Sequence, residues 1–124
     1  VLILAGYPEE MDSFLQTNPG LPSRFPIQVE FPDYSVDQLM EIAKMMIAER
    51  EYMFHPQAEL KLRQYLIREK EMGDEWFSNA RLVRNLIERS TRHQAVRLLE
   101  VDKPPSKKEL MTLLPDDLRL DRRL

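Results

Sequence analysis

Two arginines carry the chemistry this sequence offers. Arg24 lies in Asn18-Pro19-Gly20-Leu21-Pro22-Ser23-Arg24-Phe25-Pro26, and Arg81 in Phe77-Ser78-Asn79-Ala80-Arg81-Leu82-Val83-Arg84-Asn85. A guanidinium is a planar, permanently charged fork whose paired N–H groups match a phosphate. The first stretch holds one of the chain's three glycines and three of its nine prolines. Its path is therefore set by backbone restriction rather than by regular hydrogen bonding, and it reads as a stiff loop. An apolar segment follows at once, Ile27-Gln28-Val29-Glu30-Phe31, which reads as a strand. Such a mount could aim a long cation at a partner's anionic group; a solvated loop arginine is the other reading. Arg81 falls in the first turn of an expected helix, where a solvated residue and a ligand contact are equally open.

Little else could react. No Ser-His-Asp set can be assembled, and there is no G-x-x-x-x-G-K-[ST] loop to cradle phosphates. Glu9 and Glu10 read as the charged first turn of a helix rather than as catalytic carboxylates. The chain has no cysteine, which excludes disulfides and thiolate metal sites and permits a reducing cytoplasm, the expected location. Two histidines far apart, His55 and His93, argue against a histidine-rich metal site. Among 124 residues, 43% are hydrophobic and 31% charged, with a formal charge of −3. That balance suits one globular domain, or parts of two, and gives no bulk attraction to nucleic acid or membrane. No apolar run approaches a membrane span, and no basic-then-apolar leader is present.

The elements that must position the arginines follow from local pattern. Val1-Leu2-Ile3-Leu4-Ala5 reads as a strand buried on both faces, cut from something larger. Pro8 opens a helix with Met11, Phe14 and Leu15 on one face, stopping at Asn18-Pro19-Gly20. Pro32-Asp33-Tyr34 reads as a hinge. Ser35 and Gln38 fit a capping box at the head of a helix reaching about Arg50, with Leu39, Ile42, Ala43, Met46 and Ile47 as its stripe. Met40, Met45 and Met46 read as core filler. Pro56 opens a second helix with Ala58, Leu62, Tyr65 and Leu66 inward, ending near Gly73, and His55 reads as its cap or as solvated. A third runs from Ser78 or Asn79 to about Leu99 on Leu82, Val83, Leu86 and Ile87, with Arg81, Arg84, Arg89, Arg92 and Arg97 on the remainder. Trp76 and Phe77 are expected to plug the bundle. After Pro104-Pro105, Ser106 caps a short helix from Lys107 to Leu113, followed by Leu114-Pro115-Asp116-Asp117-Leu118 and a charged tail. The fold expected is mostly α: two strands and a helix up to about Phe31, then a helical bundle.

Several of these stretches, in this order, resemble a known family. Val1-Leu2-Ile3-Leu4-Ala5-Gly6-Tyr7-Pro8-Glu9-Glu10-Met11-Asp12, Asn18-Pro19-Gly20-Leu21, Ser23-Arg24-Phe25-Pro26, Phe31-Pro32-Asp33-Tyr34 and Asn79-Ala80-Arg81 with Val83-Arg84-Asn85 are similar to the C-terminal portion of AAA+ ATPases. The branch they resemble most is that of sporulation protein K and the red-type rubisco activases. The resemblance implies residues 1–34 as the end of an α/β nucleotide-binding domain and 35–124 as a helical lid. It implies Tyr7 at the sensor 1 position, Arg24 as the arginine finger acting on a neighbouring subunit's ATP, and Arg81 as the sensor 2 arginine. ATP with Mg2+, a ring of identical subunits (a hexamer when intact) and a protein client are implied with it. Walker A and Walker B segments lie upstream in this family, so this chain would be a fragment, inactive alone. A stand-alone helical interaction module is the alternative. A nucleic-acid face on the third helix is disfavoured by the acidic balance and by the lack of aromatic interleaving.

Overall fold

The computed structural model describes residues 1–72 and 79–120. By its contacts the chain divides into two compact units, Val1–Pro32 and Asp33–Leu124.

The first unit holds α1 (Pro8–Thr17) and the single turn α2 (Leu21–Arg24). Pro8 starts α1 at no cost, because the N–H it lacks would have no helical partner there. Leu15 is buried and Met11 partly so, whereas Phe14 is 46% exposed, so the inward face is narrower than its spacing predicts. Asn18 ends the helix by donating its Nδ2 to the Phe14 carbonyl at 3.0 Å. Gly20 then takes φ +94°, a left-handed conformation that glycine reaches without a steric penalty.

The two strands expected at Val1–Ala5 and Ile27–Phe31 do not form. Val1, Ile3, Ile27, Val29 and Phe31 are exposed, and neither segment meets a backbone partner among the described residues. A strand exists only through its ladder, and apolar runs without one remain extended coil.

The second unit is the helical body. Its elements are α3 (Val36–Glu49), β1 (Met53–Phe54), α4 (Pro56–Glu71), α5 (Asn79–Leu99), α6 (Lys107–Met111), β2 (Thr112–Leu113) and a 3₁₀ turn, Pro115–Asp117. The capping box at Ser35 is present. Gln38 N–H donates to Ser35 Oγ at 3.1 Å, and Ser35 N–H donates to Gln38 Oε1 at 2.9 Å. His55 is a cap: its Nδ1 accepts the Gln57 N–H at 3.1 Å, ahead of Pro56. Helix α3 closes with two reversed bonds, Glu51 N–H to Ala48 O at 3.0 Å and Tyr52 N–H to Ile47 O at 2.8 Å. This is a Schellman ending with Glu51, rather than glycine, in the left-handed position at φ 65°.

Leu39, Met40, Ala43 and Ile47 of α3 pack with Ala58, Leu62, Tyr65 and Leu66 of α4 and Val83, Leu86 and Ile87 of α5. Burial of each large aliphatic side chain stabilises by about 1.5–3 kcal/mol. Met40 belongs to this core and Met46 packs against it, but Met45 is 64% exposed and fills nothing. Lys44–Glu59 at 2.7 Å and Arg63–Asp37 at 2.6 Å fasten α3 to α4 on the outside. Trp76 and Phe77, together with the expected ends at Gly73 and Ser78, lie outside the described residues.

The helix expected to reach Leu113 ends two residues early. Helix α6 stops at Met111, and Thr112–Leu113 pairs in parallel with Met53–Phe54. Leu113 and Leu118 are core residues. A mostly helical chain with a helical body holds, and among the described residues the pair of strands sits here, between the α3–α4 connector and the C-terminal strap, residues 112–118. Among the described residues no helix is long and apolar enough to cross a membrane.

Candidate functional site

Arg24 closes α2, so its mount is a helical turn rather than the irregular loop its glycine and prolines suggest. Pro22 sits inside the turn, where its fixed φ fits. Ser23 Oγ donates to the Gly20 carbonyl at 2.8 Å, and the Phe25 N–H donates to Leu21 O at 3.1 Å. The turn is thus pinned at both ends while the arginine itself is left out of the pinning. Arg24 is exposed and makes no ion pair or side-chain hydrogen bond with any described residue. Tyr7, in the same unit, occupies the N-cap of α1 with extended backbone; its carbonyl accepts the Met11 N–H at 2.8 Å. The ring is 72% exposed and its hydroxyl caps nothing.

Arg81 stands in the first turn of α5, exposed, on the side away from Val83, Leu86 and Ile87. That turn contains no acid, and Arg81 bonds no described residue. The structure therefore places Tyr7 and Arg24 in the first unit and Arg81 in the second. Both arginines present unengaged forks on short, well-defined backbone mounts. Such forks can bind phosphate or carboxylate oxygens bidentately; neither can act as a general base, because guanidinium does not deprotonate in a protein. Among the described residues no group of three or more His, Cys, Asp or Glu is arranged to hold a metal ion.

A different arginine is fully engaged. Arg97, which its spacing groups with the outward-facing arginines, donates Nε to Asp117 Oδ1 at 2.8 Å and a terminal nitrogen to Oδ2 at 3.0 Å. Asp117 is 1% exposed, and its Oδ2 also accepts the Leu114 N–H at 2.9 Å. The hydrogen bond to Asp117, with the charge beside it, holds the Arg97 pKa above its ordinary value despite some desolvation. Gln94, buried one turn earlier, donates Nε2 toward the carbonyls of Glu109, Leu110 and Thr112 at 3.2, 2.9 and 3.2 Å. The far end of α5 is thereby clasped to the C-terminal strap, and Lys61 Nζ adds a 2.8 Å bond from α4 to Pro115 O. The clue in the sequence was slight: Asp116 and Asp117 are flanked by Leu113, Leu114 and Leu118, an unusual setting for a solvated tail.

Comparison with known proteins bears on these mounts. Residues 35–123 match the AAA lid domain family model, a span that takes in α3 through the strap and includes Arg81. The chain is 57% identical over 121 residues to stage V sporulation protein K of Bacillus subtilis (strain 168), covering 97% of this chain and 37% of that protein. It is 43% identical over 119 residues to a CfxQ homolog of Trieres chinensis, covering 95% and 40% respectively. It is 40% identical over 123 residues to CbbX of Cereibacter sphaeroides, covering 98% and 39%. The chain thus spans about two fifths of the length of the curated relatives it matches. These relatives include the branch its motifs resemble, and the chain belongs to the AAA lid domain family of the AAA+ proteins.

Proposed function

We propose that this chain is the C-terminal part of an ATPase whose hydrolysis of ATP remodels a protein client. The observation that carries the reading is the match of residues 35–123 to the AAA lid family, with Arg81 unengaged on the first turn of α5 inside that span. In this reading ATP lies between identical subunits of a cytoplasmic ring, a hexamer when intact. Arg24 reaches the nucleotide of the neighbouring subunit and offsets charge developing on the γ-phosphoryl group as it passes to water. Arginines in this role contribute about 10³–10⁵ in rate. Arg81 binds the nucleotide of its own subunit and makes lid position depend on nucleotide state. Tyr7 stands where the family's sensor 1 residue belongs, with a hydroxyl available for a phosphate or a water. Magnesium accompanies ATP, and its protein ligands are assigned to segments outside this chain. The 124-residue chain by itself, without a phosphate-cradling loop, neither binds ATP tightly nor hydrolyses it.

Complementation in mixed rings of the full-length protein tests this. Arg24→Ala subunits should bind ATP and fail to turn it over. Mixing them with subunits that keep Arg24 but carry a disabled P-loop should restore part of the hydrolysis, because each supplies what its neighbour lacks. Mixed rings that demonstrably assemble and stay silent would refute the trans role of Arg24.

A further inference from the structure

Helix α5 carries five arginines, and its one acid is Glu88. Arg97 is held by Asp117, and Glu88 is engaged by Arg50 at 3.5 Å. On the other helices of this unit Lys44 and Arg63 hold acids, and Lys61 and Lys70 hold backbone carbonyls. Among the arginines of this unit's helices, the side chains of Arg68, Arg81, Arg84 and Arg92 bond no described residue, and of these Arg81 and Arg84 are the pair that stand three positions apart. Both are exposed.

Three positions apart on a helix, their Cβ atoms are separated by roughly 5–6 Å, and two like charges so placed repel. Within α5, Glu88, one turn beyond Arg84, is the acid that could offset them, and Arg50 already engages it. Two adjacent forks without an acid partner among the described residues, mounted on a helix whose other face is core, form a preorganised receptor for one compact polyanion. We propose that Arg84 acts with Arg81 as a two-arginine clamp on a single oligophosphate, Arg84 being a second ligand-binding residue for the phosphate chain. The clamp rests on the reading of Arg81 as a phosphate contact and adds a residue to it. The two guanidinium groups would take oxygens of successive phosphates, as two forks on one helical face can.

The probe is inorganic triphosphate, titrated at millimolar concentration into the 124-residue chain while the arginine side-chain N–H resonances are followed. Arg81 and Arg84 should shift together with one dissociation constant. Arg92, about 16 Å along the axis from Arg81, should stay still. Arg84→Ala should weaken triphosphate binding about fivefold, the scale of one exposed charge-assisted contact. If Arg81 responds and Arg84 does not, or if Arg84→Ala leaves the affinity intact, the clamp is overturned while the role of Arg81 stands. If neither responds, the clamp is overturned and Arg81 loses its support too. Sulfate reproducing the shifts at the same concentration would mean an adventitious ion only and overturns the clamp. A DNA oligonucleotide moving Arg81, Arg84 and Arg92 alike, with triphosphate silent, would overturn it in favour of a nucleic-acid face.

Discussion

Removing the guanidinium of Arg97 should damage the lid more than removing the carboxylate it holds. Asp117 is 1% exposed and accepts three hydrogen bonds, two from Arg97 and one from the Leu114 N–H. In Arg97→Ala the carboxylate stays behind, buried, with one N–H for company. Breaking a buried pair in this way costs about 3–5 kcal/mol, and the 30% exposure of the Arg97 side chain, which lets water approach, points to the lower end. In Asp117→Ala the buried charge leaves with the side chain, and the partly exposed Arg97 can turn to solvent. What remains is an orphaned Leu114 N–H, worth about 1–3 kcal/mol. The double variant should resemble Asp117→Ala, so the coupling energy equals the Arg97→Ala loss, roughly 3 kcal/mol. Against a total of about 5–13 kcal/mol for a unit of this size, the Arg97→Ala loss is large and should lower Tm by on the order of 15 °C. Urea unfolding of the chain, followed by helical circular dichroism across the four members of the cycle, measures each quantity. Equal single losses that add in the double variant would show a solvated contact and refute the argument.

Three further outcomes follow from named residues. Glu51 sits in the left-handed position at φ 65°, so Glu51→Gly should stabilise by roughly 0.5–1 kcal/mol; a loss on urea unfolding would contradict the Schellman assignment. Arg81→Ala, on the solvent face of α5, should change the chain's stability by no more than about 0.5 kcal/mol, and a fall of several kcal/mol in the same assay would make Arg81 a structural anchor. The Lys44 pKa is raised from 10.5 by its hydrogen bond to Glu59 and by that residue's charge. A raised pKa stabilises the fold at pH below the unfolded value and loses its effect as pH climbs through the folded one. The stability difference between the natural chain and Lys44→Met should therefore hold steady from neutral pH to about 10.5 and shrink as pH climbs through the raised folded value; a difference that grows with alkalinity would be the wrong sign.

Whatever acts within a helical turn or two was legible in the residues alone. The Ser35–Gln38 box, the His55 cap before Pro56, and the inward stripes of α3, α4 and α5 are all interactions between near neighbours, and all stand where their spacing places them. The family was legible for a related reason, since its motifs are short, ordered runs of residue types. Tertiary structure decided the rest. Val1–Ala5 and Ile27–Phe31 have the composition of strands, but a strand belongs to a pair of segments and neither found its pair among the described residues. Met53–Phe54 and Thr112–Leu113, which have no strand pattern of their own, became one because the strap passes beside the connector. Arg97 read as an outward-facing charge until the chain returned and set the buried Asp117 against it, because burial is set by what packs over a residue. The periodicity of α5 gave Arg81, Arg84 and Arg97 the same outward-facing reading. Only the path of the C-terminal strap separated the one that is spent on the fold from the two that are left unengaged.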